Sequence, residues 1–110
     1  MNPIELAEKA GFRVVNEGEG ADRELCSIYC CDLLSVAMSR APEGGIWITV
    51  MNNLNTLAVA SLCEVHAVVL AENVIPQEDV IQRAKLEGIS LISTPLPIFE
   101  AALAAQNCLD

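Results

Sequence analysis

Apolar residues in this chain recur with two periods, and the switches between them mark the elements. Over Pro3–Ala10, Ile4 pairs with Ala7 and Leu6 with Ala10 at helical spacing. Asn2 is placed to cap that helix, Pro3 takes its first position and Gly11 follows its end. Phe12–Val15 reads as a short strand. Leu25–Cys30 reads as a second, with Cys26, Ile28 and Cys30 alternating on one face. Between them Glu17–Asp22, rich in glycine and acids, reads as an exposed loop. Asp32 is placed to cap a helix from Leu33 to about Ala41, which Pro42 and Gly44-Gly45 end. Ile46–Met51 is the expected central strand and Thr56–Cys63 the next helix. Ala67–Leu70 is a continuous apolar run, the pattern of a strand covered on both faces.

The C-terminal third repeats the alternation. Pro76–Glu87 is an amphipathic helix with Val80, Ile81 and Ala84 as its apolar stripe, Glu78 and Asp79 at its start and Gly88 at its end. Ile89–Ile92 reads as a strand. Ser93-Thr94-Pro95 opens a last helix to about Gln106, with Ile98, Phe99, Ala102 and Leu103 expected inward. The β-α alternation from Leu25 onward predicts parallel strands joined by right-handed crossovers. The expected fold is therefore one α/β domain over residues 1–110, a three-layer sandwich whose mostly parallel sheet has about five strands.

Composition adds a partner to this picture. The chain is 53% hydrophobic but only 4% aromatic, so its core must be built from Val, Ile, Leu and Ala. The helices at Leu33–Ala41 and Thr56–Cys63 are apolar around most of their circumference, and such helices are covered by something. In so small a domain the expected cover is a second copy, hence a homodimer.

Charge removes other partners. Six basic residues face fifteen acidic ones, for a net charge of -9, and Lys9, Arg13, Arg23, Arg40, Arg83 and Lys85 are scattered. Nucleic acid and anionic membrane surfaces both reward clustered Lys and Arg, so neither is expected as a partner. No apolar run approaches the roughly 20 residues of a membrane span and no charged-then-apolar leader is present, so the expected location is the cytoplasm. The five cysteines, an odd number placed mostly in apolar segments, are expected to be buried, reduced thiols.

Candidate chemistry concentrates where strands end. Asn52, Asn53 and Asn55 follow the central strand and precede a helix whose amide N–H groups would face the same crevice. Asparagine both donates and accepts, so this turn could hold a carboxylate, a phosphate or a sugar hydroxyl; alternatively Asn53 or Asn55 caps the helix. Thr49 within the strand, and Asp32 and Thr94 at other helix openings, border the same edge. The expected ligand-binding set is Asp32, Thr49, Asn52, Asn53, Asn55 and Thr94.

The cysteines fit no metal motif. Cys26, Cys30 and Cys31 form C-x3-C-C, neither the paired C-x2-C of zinc sites nor a C-x-x-C redox motif. Cys63 and His66 lack a second ligand pair. Gly44-Gly45 precedes a strand rather than following one, so it is not a phosphate loop. No catalytic constellation, metal or cofactor is expected. A cysteine-based redox or metalloenzyme accessory using Cys30 and Cys31 is the rival reading, with a purely structural dimerisation domain as a third.

From Asp32 onward, DLLSVAMSRAPEGGIWITVMNNLNTLAVASLCEVHAVVLAE, the P-x-E helix start at Pro76 and ISLISTPLPIFEAA together resemble the DRTGG domain family. The most specific pieces are D-L-L-S-x-x-M at Asp32–Met38, the strand-to-Asn turn, and L-x-S-T-P at Leu91–Pro95. Members of that family are attached to some phosphate acetyltransferases and to CBS-containing pyrophosphatases, and are similar to the amino-terminal domain of HPr kinase. The resemblance implies a three-layer α/β fold, frequent homodimerisation, and a regulatory or scaffolding role rather than catalysis. The small-molecule ligand expected at the strand-end crevice is a nucleotide or acyl phosphate. The family's Asp-Arg pair is represented by Asn52-Asn53, and its Thr-Gly-Gly by Ala71-Glu72-Asn73. These replacements remove a charged donor and, by expectation, a permissive backbone turn.

Overall fold

A computed structural model describes all residues, 1–110. In chain order its elements are α1 (Pro3–Ala10), β1 (Arg13–Asn16), β2 (Ile28–Cys30), α2 (Leu34–Arg40) and β3 (Ile46–Thr49), followed by α3 (Leu54–Cys63), β4 (Ala67–Leu70), α4 (Glu78–Glu87), β5 (Ser90–Ser93) and α5 (Ile98–Leu109). The five strands form one sheet in the order β1-β5-β4-β3-β2. Strands β2 to β5 are parallel, as the alternation predicts. Strand β1 is antiparallel to β5, which makes the sheet mixed.

Side-chain alternation along each strand divides the core in two. Ile46, Ile48, Ala67, Val69 and Ile92 point to one face, where they meet Leu6 and Ala7 of α1 and Ala101 and Ala105 of α5. Trp47, Val68, Leu70 and Leu91 point to the other, against Ala37, Leu57, Ala60, Val80 and Ala84 of α2, α3 and α4. Every residue of β3 and β4 is buried. The Trp47 indole, fully buried, donates to the Cys31 carbonyl at 2.9 Å, which satisfies its only polar atom.

Several local expectations are corrected. Asp32 does not cap α2; Leu33 occupies that position without a side-chain hydrogen bond. Helix α5 turns its small residues inward: Ala101 and Ala105 are fully buried, whereas Phe99 is 71% exposed and Leu103 48%. Two alanines on the inner face let the helix lie close to the sheet, and the bulky side chains are left outside. The Glu17–Asp22 loop is also no free loop. Glu19 N–H donates to the Gly88 carbonyl and Gly18 N–H to the Ser90 hydroxyl. A Cβ on Gly18 would lie 2.2 Å from the Gly88 carbonyl oxygen, so the close approach requires glycine there. Finally, the cysteines are not buried: Cys26 and Cys30 are exposed, Cys30 on the edge strand β2, and Cys31, Cys63 and Cys108 are half-buried.

Candidate functional site

The parallel arrangement gathers the carboxyl ends of β2, β3, β4 and β5 on one edge, the side where open α/β sheets hold ligands. Because β1 is antiparallel, its first residue, Arg13, reaches that same edge.

On the β2–β3 side the polar residues bond to one another and to the backbone. The Thr49 hydroxyl, fully buried, donates to Asp32 Oδ1 at 2.6 Å, and Val50 N–H donates to the same oxygen at 2.8 Å. The Thr49 oxygen in turn accepts from Met51 N–H at 3.2 Å. Asp32 thus ties the end of β2 to the end of β3. Asn52 bridges to the segment before α4: its amide donates to the Ile75 carbonyl at 2.7 Å and its oxygen accepts from Gln77 N–H at 3.2 Å. Asn53 caps α3, accepting from Thr56 N–H at 3.0 Å. Asn55, in the first turn of α3, is exposed to solvent.

Thr94 lies apart from these five. It is 3% exposed, its oxygen accepts from Leu96 N–H at 3.2 Å, and its backbone carbonyl accepts from Asn73 N–H. It lines a cavity of about 150 Å³ at the carboxyl ends of β4 and β5, together with Arg13, Asn73 and Ser93 and the backbone around Gly11 and Val74. Of the six expected residues, Thr94 alone reaches this cavity. Sequence reasoning gives Ser93 only a place beside Thr94 at a helix opening and Asn73 only a place in the turn after the fourth strand, and it gives Arg13 no site role. Their shared location depends on the direction and register of β1, which no local pattern encodes.

The turn that carries Asn73 is unusual. Glu72 and Asn73 both adopt left-handed backbone, with φ of 59° and 60°. The permissive turn expected to be lost with the two glycines is therefore kept. Asparagine is among the residues that tolerate this region, and Glu72 is held on both sides. Its N–H donates to the Leu96 carbonyl, and its carboxylate accepts from Ile98 N–H at 2.9 Å, satisfying the start of α5.

A larger cavity of about 210 Å³ lies at the opposite, amino end of the strands, among Glu19, Glu43, Glu64, Glu87, Arg23 and His66. Nδ1 of His66 is buried there without a hydrogen-bond partner. Four carboxylates make that end hostile to an anion. No group of three or more His, Cys, Asp or Glu side chains is arranged to hold a metal ion, and no helix is long and apolar enough to cross a membrane. Near β2, partial burial and then the neighbouring Asp32 carboxylate push the Cys30 thiol up from its ordinary value, which disfavours the thiolate that redox chemistry needs.

No protein-family model matches the chain, and neither does any curated protein. Among solved structures, the chain is similar to the CBS and DRTGG domains of the regulatory region of Clostridium perfringens pyrophosphatase, which was crystallised with its activator, diadenosine tetraphosphate. The TM-score is 0.73 at 17% identity, over 94% of this chain and 45% of that one. The likeness is one of fold. It supports the DRTGG resemblance read from the sequence, and this chain spans less than half of the regulatory region it matches.

Proposed function

We propose that this chain is a non-catalytic regulatory or assembly domain of DRTGG type that binds a small anionic or nucleotide-like ligand at the carboxyl ends of its strands. The observation that carries the reading is the polar cavity beside Thr94, at the edge where this class of sheet places ligands. The match to a regulatory region, rather than to a catalytic domain, favours the same assignment. Helices on both faces of the sheet fit a three-layer sandwich.

The domain acts as a homodimer in the cytoplasm on this reading. Strand β2 is an open edge, and exposed Leu33 and Val36 at the start of α2 and Phe99 and Leu103 on α5, which packs against β2, flank it. Unpaired edges and exposed apolar side chains are what a second copy would cover.

Thermal denaturation against AMP, ATP, diadenosine tetraphosphate and acetyl phosphate tests the ligand. A binder present at about 100 times its Kd adds about 2.7 kcal/mol and raises Tm by several degrees. If none of the four moves Tm at millimolar concentration, the ligand reading fails and the structural dimerisation domain takes its place. Sedimentation at micromolar concentration tests the dimer, which is excluded by a single species of 11.8 kDa.

A further inference from the structure

We infer that the cavity beside Thr94 is an oxyanion site, built to grip one phosphate or carboxylate head group between Arg13 and the Ser93 hydroxyl. The inference rests on the ligand-binding reading above and names the part of the ligand that is held.

Register supplies the geometry. Arg13 and Ser93 are direct partners across the antiparallel β1–β5 ladder. Side chains of directly opposed residues rise from the same face of the sheet with Cβ atoms about 5 Å apart. A guanidinium and a hydroxyl are thus brought side by side by residues from opposite ends of the chain. The left-handed turn adds the Asn73 amide from the end of β4.

Charge supplies the sign. The chain carries fifteen acidic residues against six basic ones, yet this cavity has a cation and no carboxylate in its lining. Arg13 has no carboxylate within ion-pair distance anywhere in the molecule, and the side chains of Asn73 and Ser93 make no hydrogen bond within the protein. An arginine left unpaired on so acidic a surface is a donor set without an acceptor. Its planar fork fits the two oxygens of a carboxylate or phosphate.

Size limits the ligand. Pockets for whole drug-sized molecules run to roughly 300–1,000 Å³, and this one has about 150 Å³. It admits a head group and leaves the rest of the molecule outside. A nucleotide would therefore be recognised by its phosphate and not by its base.

The test is a titration of the full chain at low ionic strength with inorganic phosphate, acetate, AMP and adenosine, each followed by thermal shift and calorimetry. At least one of the two simple anions is expected to bind, AMP is expected to bind wherever phosphate does, and adenosine is not. Binding of phosphate without acetate assigns a phosphate site, and the reverse a carboxylate site. Arg13→Gln should weaken the anions about tenfold or more, the loss of one or two charge-assisted hydrogen bonds. Arg13→Lys should recover part of the loss, because it keeps the charge without the fork. Arg13 is exposed and unpaired, so both variants should fold as the parent does. Adenosine binding as well as AMP, or Arg13→Gln binding AMP undiminished, would overturn the oxyanion site while the ligand reading survives. If neither the simple anions nor any nucleotide binds the parent chain, both fall together.

Discussion

The two halves of the carboxyl edge carry similar residue types and spend them in opposite ways. Beside β2 and β3, Asp32, Thr49, Asn52 and Asn53 are bonded to backbone and to each other, and they hold strand ends, a connecting segment and a helix start in place. Beside β5 and β1, Arg13, Asn73 and Ser93 surround a cavity with their side chains uncommitted. A polar residue at a strand end is therefore not evidence of a ligand until its own hydrogen bonds have been counted. On the first side, counting removes every candidate except Asn55, whose side chain lies free in solvent. On the second it leaves them.

Substitutions can break this contrast. The largest effect is expected from Asp32→Ala, which strands the buried Thr49 hydroxyl and the Val50 N–H that share one carboxylate oxygen. Hydrogen bonds to a charged group contribute about 1.5–3 kcal/mol each, so a loss of roughly 2–4 kcal/mol in urea unfolding is expected, with affinity at the Thr94 cavity unchanged. A weakened ligand at unchanged stability would mean that Asp32 belongs to the site. Asn53→Ala should cost about 1 kcal/mol, the usual value of a helix cap, read from the same unfolding curves.

Smaller effects sharpen the picture. The raised Cys30 thiol holds less thiolate at any pH below its own pKa than an unperturbed cysteine, whose pKa is about 8.5. Iodoacetamide at pH 7.5 should therefore modify Cys30 in the folded chain more slowly than in urea, as peptide mapping would record. Faster modification when folded would revive the redox reading. Asn55→Ala is expected to change stability by less than about 0.5 kcal/mol and leave anion binding intact, because its side chain is exposed and free.

What could be read from the sequence follows from how local each signal is. The runs Pro3–Ala10 and Ala67–Leu70 coincide with α1 and β4, since caps and unbroken apolar runs are decided by neighbours in the chain. The inner face of α5 escapes the sequence pattern because hydrophobicity favours Phe99 and Leu103, whereas proximity to the sheet favours Ala101 and Ala105. The role of Asp32 differs from its local signal for a related reason. An acid before a helix suggests a cap, but a buried hydroxyl on the adjacent strand competes for it. Asn53 presents the same local signal and does cap its helix, its oxygen accepting from both the N–H and the hydroxyl of Thr56 within that helix. The Arg13–Ser93 pair is the extreme case, since it exists only once the first strand has chosen its edge and direction.

That choice has a consequence for folding. Strands β2 to β5 are joined by consecutive crossovers, but the β1–β5 ladder unites the beginning and the end of the chain, the sort of distant contact that forms late. An anion spanning Arg13 and Ser93 would fasten that seam. Its presence would be felt first as slower amide exchange along Arg13–Asn16, so that occupancy reports on whether the two termini of the chain have come together.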